Sequence, residues 1–321
     1  MQNYIQGLCT EKNELKIYEE NFMVKIRVKG RLGNQLFIYA FARMISEMTG
    51  EDILIYDRKD EKDEMWYSHL DFYKLCDKVN FTSSKKEIMK MSLIQKIMFL
   101  IDRIYASQNT YKRTKEFEDK YRKLYLKNHL LICENGYFEI PENLPKDLFC
   151  IGYFQSPKFF EPIREQLLVE LQPKQDVLER NKEFIKRMDI TESVCITIRL
   201  GDFVNNPMHQ VCTIDYFKKA IEKMKELKPN SKFFVFSDDI ETVKKTFDFG
   251  NDVEYDEGIN PDYESLRCMS HCKHFIISNS TFSWWAEYLS TNPDKIVIAP
   301  SKWYANPTMV CDIEQDYWIR L

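Results

Sequence analysis

The stretch Ile277-Ser278-Asn279-Ser280-Thr281-Phe282-Ser283-Trp284-Trp285-Ala286 decides how the second half of this chain folds. His274-Phe275-Ile276-Ile277 reads as a short buried strand. After it Phe282, Trp285 or Ala286, and Leu289 recur at helical spacing, so a helix starts near Ser280. Hydroxyl and amide side chains at Ser278, Asn279, Ser280, Thr281 and Ser283 therefore gather where a strand becomes a helix. Unpaired main-chain amides at such a start, aided by the helix dipole and by the Ser280 and Thr281 hydroxyls, receive phosphate oxygens without a metal. The same residues also suit an ordinary N-cap, so the rest of the chain has to choose between the two.

Working outward, Val194 to Ile198 is a continuous apolar strand, Phe233 to Phe236 another, and Ile296 to Ala299 a further one stopped by Pro300. Helical spacing separates them. Ile214, Phe217, Ile221 and Met224 share one face of a helix over 213–227, and a shorter helix runs from about Ile240 to Thr246. Short apolar strands alternating with helices predict an α/β fold with a parallel, doubly wound sheet. In such sheets ligands sit beyond the carboxyl ends of the strands. The polar residues fall there: Arg199-Leu200-Gly201-Asp202-Phe203, then Ser237-Asp238-Asp239, then Ser278 to Thr281. An arginine at the end of a buried strand needs a carboxylate, for which Asp202 is the near candidate, or an anionic ligand whose oxygens match its fork. Asp238 or Asp239 can accept hydrogen bonds from guanine or a ribose hydroxyl, or cap the next helix.

The first half opens with Val24, Ile26 and Val28 alternating with charged residues, a strand that runs into Gly30-Arg31-Leu32-Gly33-Asn34-Gln35. A helix follows, with Leu36, Ala40, Met44 and Met48 beside Phe37, Phe41 and Ile45 in one apolar stripe. Gly30 and Gly33 permit a close backbone approach or unusual dihedrals, and Asn34 and Gln35 lie at the helix mouth. A glycine turn with a polar cap is the plainer reading. Gly152-Tyr153-Phe154-Gln155-Ser156-Pro157 precedes a helix expected from Phe159 to Leu171, and the junction between two domains, 23–160 and 161–321, is placed there. Residues 1–22 are polar and patternless. They read as a disordered extension, or as the product of an upstream start codon with Met23 the natural start.

The 321 residues are 44% hydrophobic, with 46 basic and 50 acidic side chains and a net charge of −4. That balance gives no polyanion-binding signature, so nucleic acid is not an expected partner. Nine cysteines, scattered and partly inside apolar runs, read as reduced and buried. Cys268 and Cys272 near His271 and His274 lack a second ligand pair at finger spacing, so a helical face is expected there and not zinc. No apolar run reaches membrane-spanning length and no secretory leader is evident, so a cytosolic protein is expected. Residues 85–127 carry 12 Lys or Arg against five Asp or Glu around the apolar run Ile97-Met98-Phe99-Leu100-Ile101. A basic amphipathic helix there can lie on anionic lipid at the inner face of a membrane, or pack on its own domain with a solvated face.

Five stretches, in this order, resemble the successive motifs of glycosyltransferase family 11, the α-1,2-fucosyltransferases. They are Gly30-Arg31-Leu32-Gly33-Asn34-Gln35-Leu36-Phe37-x-Tyr39-Ala40, Gly152-Tyr153-Phe154-Gln155-Ser156, Thr197-Ile198-Arg199-Leu200-Gly201-Asp202-Phe203, Phe236-Ser237-Asp238-Asp239, and Ile277 through Trp285. The resemblance covers about Met23 to Trp303 and implies a GT-B architecture, two Rossmann-like domains facing across a cleft with GDP-fucose held mainly by the second. It implies inverting transfer to the 2-hydroxyl of a galactose, with no obligatory metal and no cofactor. The absence of an Asp-x-Asp triplet agrees independently. By the same resemblance Arg199 meets the pyrophosphate, Ser280, Thr281 and Phe282 the diphosphate junction, and Asn34 faces the donor from the first domain, with Gly33, Gln35, Asp238, Asp239 and Asn279 in the substrate-binding set. Asp202 is the candidate base, or it holds Arg199 in place. The commoner family pattern His-x-Arg-Arg-Gly-Asp-Tyr is altered here, with Thr197, Leu200 and Phe203 in place of His, the second Arg and Tyr. Histidine therefore cannot be the base at that position. Transfer in another linkage, or a binding module that has lost turnover, are the alternatives. Trp66, Tyr67, Tyr153 and Trp303 are aromatic candidates for stacking on a β-galactoside-terminated, lipid-linked acceptor, as expected in surface polysaccharide synthesis.

Overall fold

The computed structural model describes residues 22–200, 210–247, 249–250 and 253–321. The expected extension, apart from Phe22, and the candidate base Asp202 lie outside the described residues.

The first sheet comprises β1 (Met23–Arg27), β2 (Asp52–Tyr56), β3 (Val79–Thr82), β4 (Leu130–Cys133) and β5 (Phe149–Gly152), joined by helices α1 (Leu32–Thr49), α2 (Lys85–Ile88), α3 (Leu93–Gln108) and α4 (Tyr111–Lys127). All its pairings are parallel, in the order β3-β2-β1-β5-β4. Between the sheets lie α5 (Arg164–Glu170) and α6 (Glu179–Ile190). The second sheet comprises β6 (Glu192–Ile198), β7 (Ser231–Ser237), β8 (Val253–Tyr255), β9 (His274–Ile276), β10 (Val297–Ala299) and β11 (Ile319–Arg320). Its helices are α7 (Ile214–Leu227), α8 (Ile240–Thr246), α9 (Asp262–Ser270) and α10 (Thr281–Leu289). This sheet too is parallel, in the order β11-β10-β9-β6-β7-β8.

Each sheet begins in its middle, builds outward on one side, then returns to the other. The reversal falls between β1 and β5 in the first sheet and between β6 and β9 in the second. Connections leaving neighbouring strands in opposite directions open a crevice at such a point. The loops flanking the two crevices are those carrying Gly30 to Gln35, Gly152 to Gln155, Arg199, and Ser278 to Thr281.

Helix α1 departs from the expected single apolar face. Leu32, Leu36, Ile38, Tyr39, Phe41 and Ala42 are all buried, so apolar or neutral side chains point inward all round. The physical reason is a second cover, because α1 packs against α10 of the other sheet as well as against β1. Phe37 lies 5.1 Å from Trp285 and 4.6 Å from Trp284, ring centroid to centroid, and Phe160 stacks on Trp285 at 5.7 Å. One continuous apolar cluster therefore spans both halves. The helix expected from 159 to 171 is broken into turns of 3-10 helix at Pro157–Phe159 and Glu161–Ile163 before α5 begins. Pro162 lacks the amide that a continuous ladder would require.

The α3 and α4 hairpin buries two carboxylates. Asp102 and Glu118 are 1% and 0% exposed, and Glu118 accepts the Glu134 amide at 3.3 Å. Burial, with Asp102 and Glu134 nearby, pushes Glu118 up to about 8, and burial pushes Asp102 up to about 6. A carboxyl group whose folded value is raised contributes stability that is full below its unfolded value. That contribution is lost as pH rises through the folded value. Glu118→Gln is therefore expected to raise the melting temperature at pH 8 relative to the native chain, and the gain should vanish near pH 4. Thermal melts across that range check it, and a variant less stable at pH 8 would refute the buried neutral acid.

Candidate active site in the cleft between the sheets

The carboxyl ends of both sheets face one cavity of about 870 Å³. Gly30 to Asn34, Tyr153 and Gln155 line it from the first sheet, and Thr197 to Arg199, Asp238 and Ser278 to Ser283 from the second. Three separated stretches of the second half thus meet, as their positions at strand ends predict.

Arg199 emerges from β6, and its Nη1 lies 3.0 Å from Asp238 Oδ2 at the end of β7. The other Asp238 oxygen accepts the Leu200 amide at 2.9 Å. Asp238 therefore holds the arginine and the chain beyond it. With its two oxygens committed in this way, Asp238 serves as a positioning residue. Asp239 does not reach the cavity lining and caps α8, accepting from the Thr242 amide at 3.1 Å and hydroxyl at 2.7 Å. Those hydrogen bonds from Thr242 hold its carboxyl below the usual range. The capping alternative is the one realised.

At the start of α10, Ser280 is the N-cap and accepts the Phe282 amide at 3.3 Å. The Thr281 and Ser283 amides have no hydrogen-bond acceptor among the described residues. They are orphan donors at the positive end of a helix in the cleft wall, which is the composition of an anion site. Asn279 is 3% exposed and braces the loop, donating to the Trp303 carbonyl at 2.9 Å. Thr197, standing where the family pattern has histidine, accepts the Ser278 amide at 3.2 Å and so ties β6 to the β9 loop.

From the first sheet, Asn34 reaches that helix start. Its Oδ1 accepts the Thr281 hydroxyl at 3.0 Å and the Gln155 amide at 2.8 Å, and Gln155 Oε1 in turn accepts the Tyr304 hydroxyl at 3.1 Å. This chain of hydrogen bonds crosses between the halves twice. Its approach requires Gly33: a Cβ there would lie 2.6 Å from the Phe282 nitrogen and 2.7 Å from the Thr281 carbonyl carbon. Gly33 thus acts through backbone contact, and Trp285 Nε1 donates to its carbonyl at 3.0 Å. Gln35 requires a correction. It is 1% exposed and turned away from the cavity, donating to the Gly30 and Tyr67 carbonyls at 3.0 and 2.9 Å and accepting the His69 amide at 2.9 Å. It shapes the glycine loop from behind.

Sequence reasoning assigned no role to Gln155 or Tyr304 and did not find Asn135, Asp256 or Asn260, all of which line the cleft. Gln155 was visible in its motif. Its placement depends on Phe154, which takes a left-handed φ of 52° while buried and stacked on Phe41 at 3.9 Å. Asn135 follows β4, and Asp256 and Asn260 follow β8, strands of four and three residues too short to show an alternation. Trp66, Tyr153 and Trp303 line the cleft and Tyr67 does not. Trp303 is 3% exposed and stacks on Trp318, a core role. Cys268 and Cys272 are buried and free. Among the described residues no group of three or more His, Cys, Asp or Glu side chains is arranged to hold a metal ion, and no helix is long and apolar enough to cross a membrane.

Comparison with known proteins agrees with this geometry. The O-antigen biosynthesis glycosyltransferase WbnK of Escherichia coli is 30% identical over 319 residues, covering 92% of this chain and 99% of that protein. An α-1,2-colitosyltransferase of Escherichia coli is also 30% identical, covering 93% of this chain and 99% of that protein. Among solved structures, the α-1,6-fucosyltransferase NodZ co-crystallised with GDP has a TM-score of 0.54 at 16% identity, covering 87% of this chain and 95% of that one. This likeness shows a shared fold, the GT-B arrangement of two parallel α/β sheets facing across a cleft. The sequence model described as glycosyl transferase family 11 matches residues 23–321, a span that contains both crevices and every described cleft residue, and the chain is therefore a member of glycosyl transferase family 11.

Proposed function

We propose that the protein transfers L-fucose from GDP-fucose, with inversion and without a metal, to the 2-hydroxyl of a terminal galactose in a lipid-linked surface glycan. The observation that carries this reading is Arg199, held by Asp238, in the same cleft as the unpaired amides of Thr281 and Ser283. Breaking the bond from fucose to phosphate leaves negative charge on the departing GDP and spreads positive charge over the sugar ring. A fixed guanidinium and fixed amides stabilise the departing charge more than the ground state, because they need no reorganisation as it develops. The GDP in the NodZ crystal supports a guanosine diphosphate sugar as donor. Asp202 is the proposed base toward the acceptor hydroxyl.

A second reading is transfer of colitose by the same chemistry, favoured by the colitosyltransferase among the relatives. Both are tested by incubating purified protein with GDP-fucose or the colitosyl donor and a panel of β-galactosides in EDTA, followed by mass spectrometry and linkage analysis. An α-1,2-fucosyl galactoside is the expected product. Product from the colitosyl donor alone would replace fucose by colitose, and a need for divalent cation would overturn the metal-free mechanism.

A further inference from the structure

We propose that α3 is a peripheral membrane contact that lies along an anionic phospholipid surface. The usual partition of a surface helix is reversed in it. Leu93 is 73% exposed, and Ile94, Ile97, Leu100, Ile101 and Ile104 are each 48% or more exposed, whereas the residue α3 buries is Asp102. At the helical turn those six side chains occupy one arc of about 120°. Lys96 and Arg103 lie along one edge of the arc. Ten exposed Lys or Arg side chains of residues 85–127 stand against exposed Glu87, Glu116 and Asp119, in a chain whose net charge is −4. A face of this kind, apolar with cations along one edge in a segment of net positive charge, matches acyl chains below a layer of negative headgroups. A second copy of the chain matches it poorly, because pairing two such faces would bring like charges together.

The placement is consistent with delivery of a membrane-held molecule to the cleft. Tyr111, the first residue of α4, lines the cleft, and so does Glu134, which lies 3.8 Å from Arg103 of α3. The inference stands apart from the fucosyl-transfer reading, since binding is measured without turnover.

The test is co-sedimentation of the full chain with phosphatidylcholine vesicles, with and without phosphatidylglycerol. The native protein is expected to bind the anionic vesicles and to be released by salt. Combined Leu93→Ser, Ile97→Ser, Leu100→Ser and Ile104→Ser substitutions should lower the partition coefficient roughly tenfold or more. These positions are exposed, so melting should be unchanged. Lys90→Glu with Lys96→Glu, which leaves the apolar arc intact, should reduce binding to anionic vesicles and weaken its salt dependence. Equal recovery with both vesicle types, or binding unaffected by the four serine substitutions, would overturn the proposal. So would a native dimer in solution that those substitutions convert to monomer, since a second copy would then be the occupant.

Discussion

Arg199→Ala is expected to lower kcat by ~10²–10³ at saturating donor, with the melting temperature nearly unchanged. The side chain sits at the end of β6 with its Nη1 on Asp238, and it lines the cleft opposite the start of α10. Removing it deletes a charge from the leaving-group side of the transition state. The structural cost is small, because Asp238 is 19% exposed at its side chain and still accepts the Leu200 amide, and a partly exposed ion pair contributes about 1 kcal/mol or less. Arg199→Lys should recover little, since a single ammonium cannot pair with Asp238 and present a second donor in the same plane. Quantified product formation together with a thermal melt checks both variants. Near-native kcat in Arg199→Ala would remove this residue from the mechanism, and a collapse in melting would show that its role is structural.

Trp285→Ala should have the largest effect on stability, a loss of about 3–5 kcal/mol in denaturant unfolding. Trp285 is fully buried where the two halves meet, with Phe37 and Phe160 around its ring and the Gly33 carbonyl accepting from its Nε1. The truncation would leave a cavity between α1 and α10 and an unmet carbonyl beside the Asn34 and Thr281 contact. Activity should fall as well, because the cleft is shaped by how these two helices meet. Trp285→Phe keeps most of the packing and loses the hydrogen bond, so a cost of about 1 kcal/mol is expected. A loss below that in Trp285→Ala would mean that the halves are held together elsewhere.

Several parts of this molecule were legible in its residues. The strands β6, β7, β9 and β10 are short apolar runs buried on both faces, and Ser280 was identifiable as the start of α10 because apolar spacing changes there from continuous to helical. Arg199, Asp238 and the 278–281 loop follow from their positions at strand ends. Less legible were β4, β5 and β8, whose three or four residues fit helix and strand patterns alike. The exposure of the Ile97 to Ile101 run was also hidden, since periodicity says that a helix has an apolar face and not whether anything covers it.

Local chemistry was enough to define the parallel α/β architecture, the capped start of α10 and the family, because each depends on residues close together in sequence. Contacts over long separations depended on the folded chain. Asp238 and not Asp239 holds Arg199, Gln35 turns inward while Asn34 reaches Thr281, and Gly33 is required by a backbone from the other half. The first two outcomes turn on which of two adjacent, chemically similar groups faces the cleft, and the third on how close a distant backbone comes. Those geometries are set by strand pairing within the second sheet and by packing between the two halves, which no local spacing encodes.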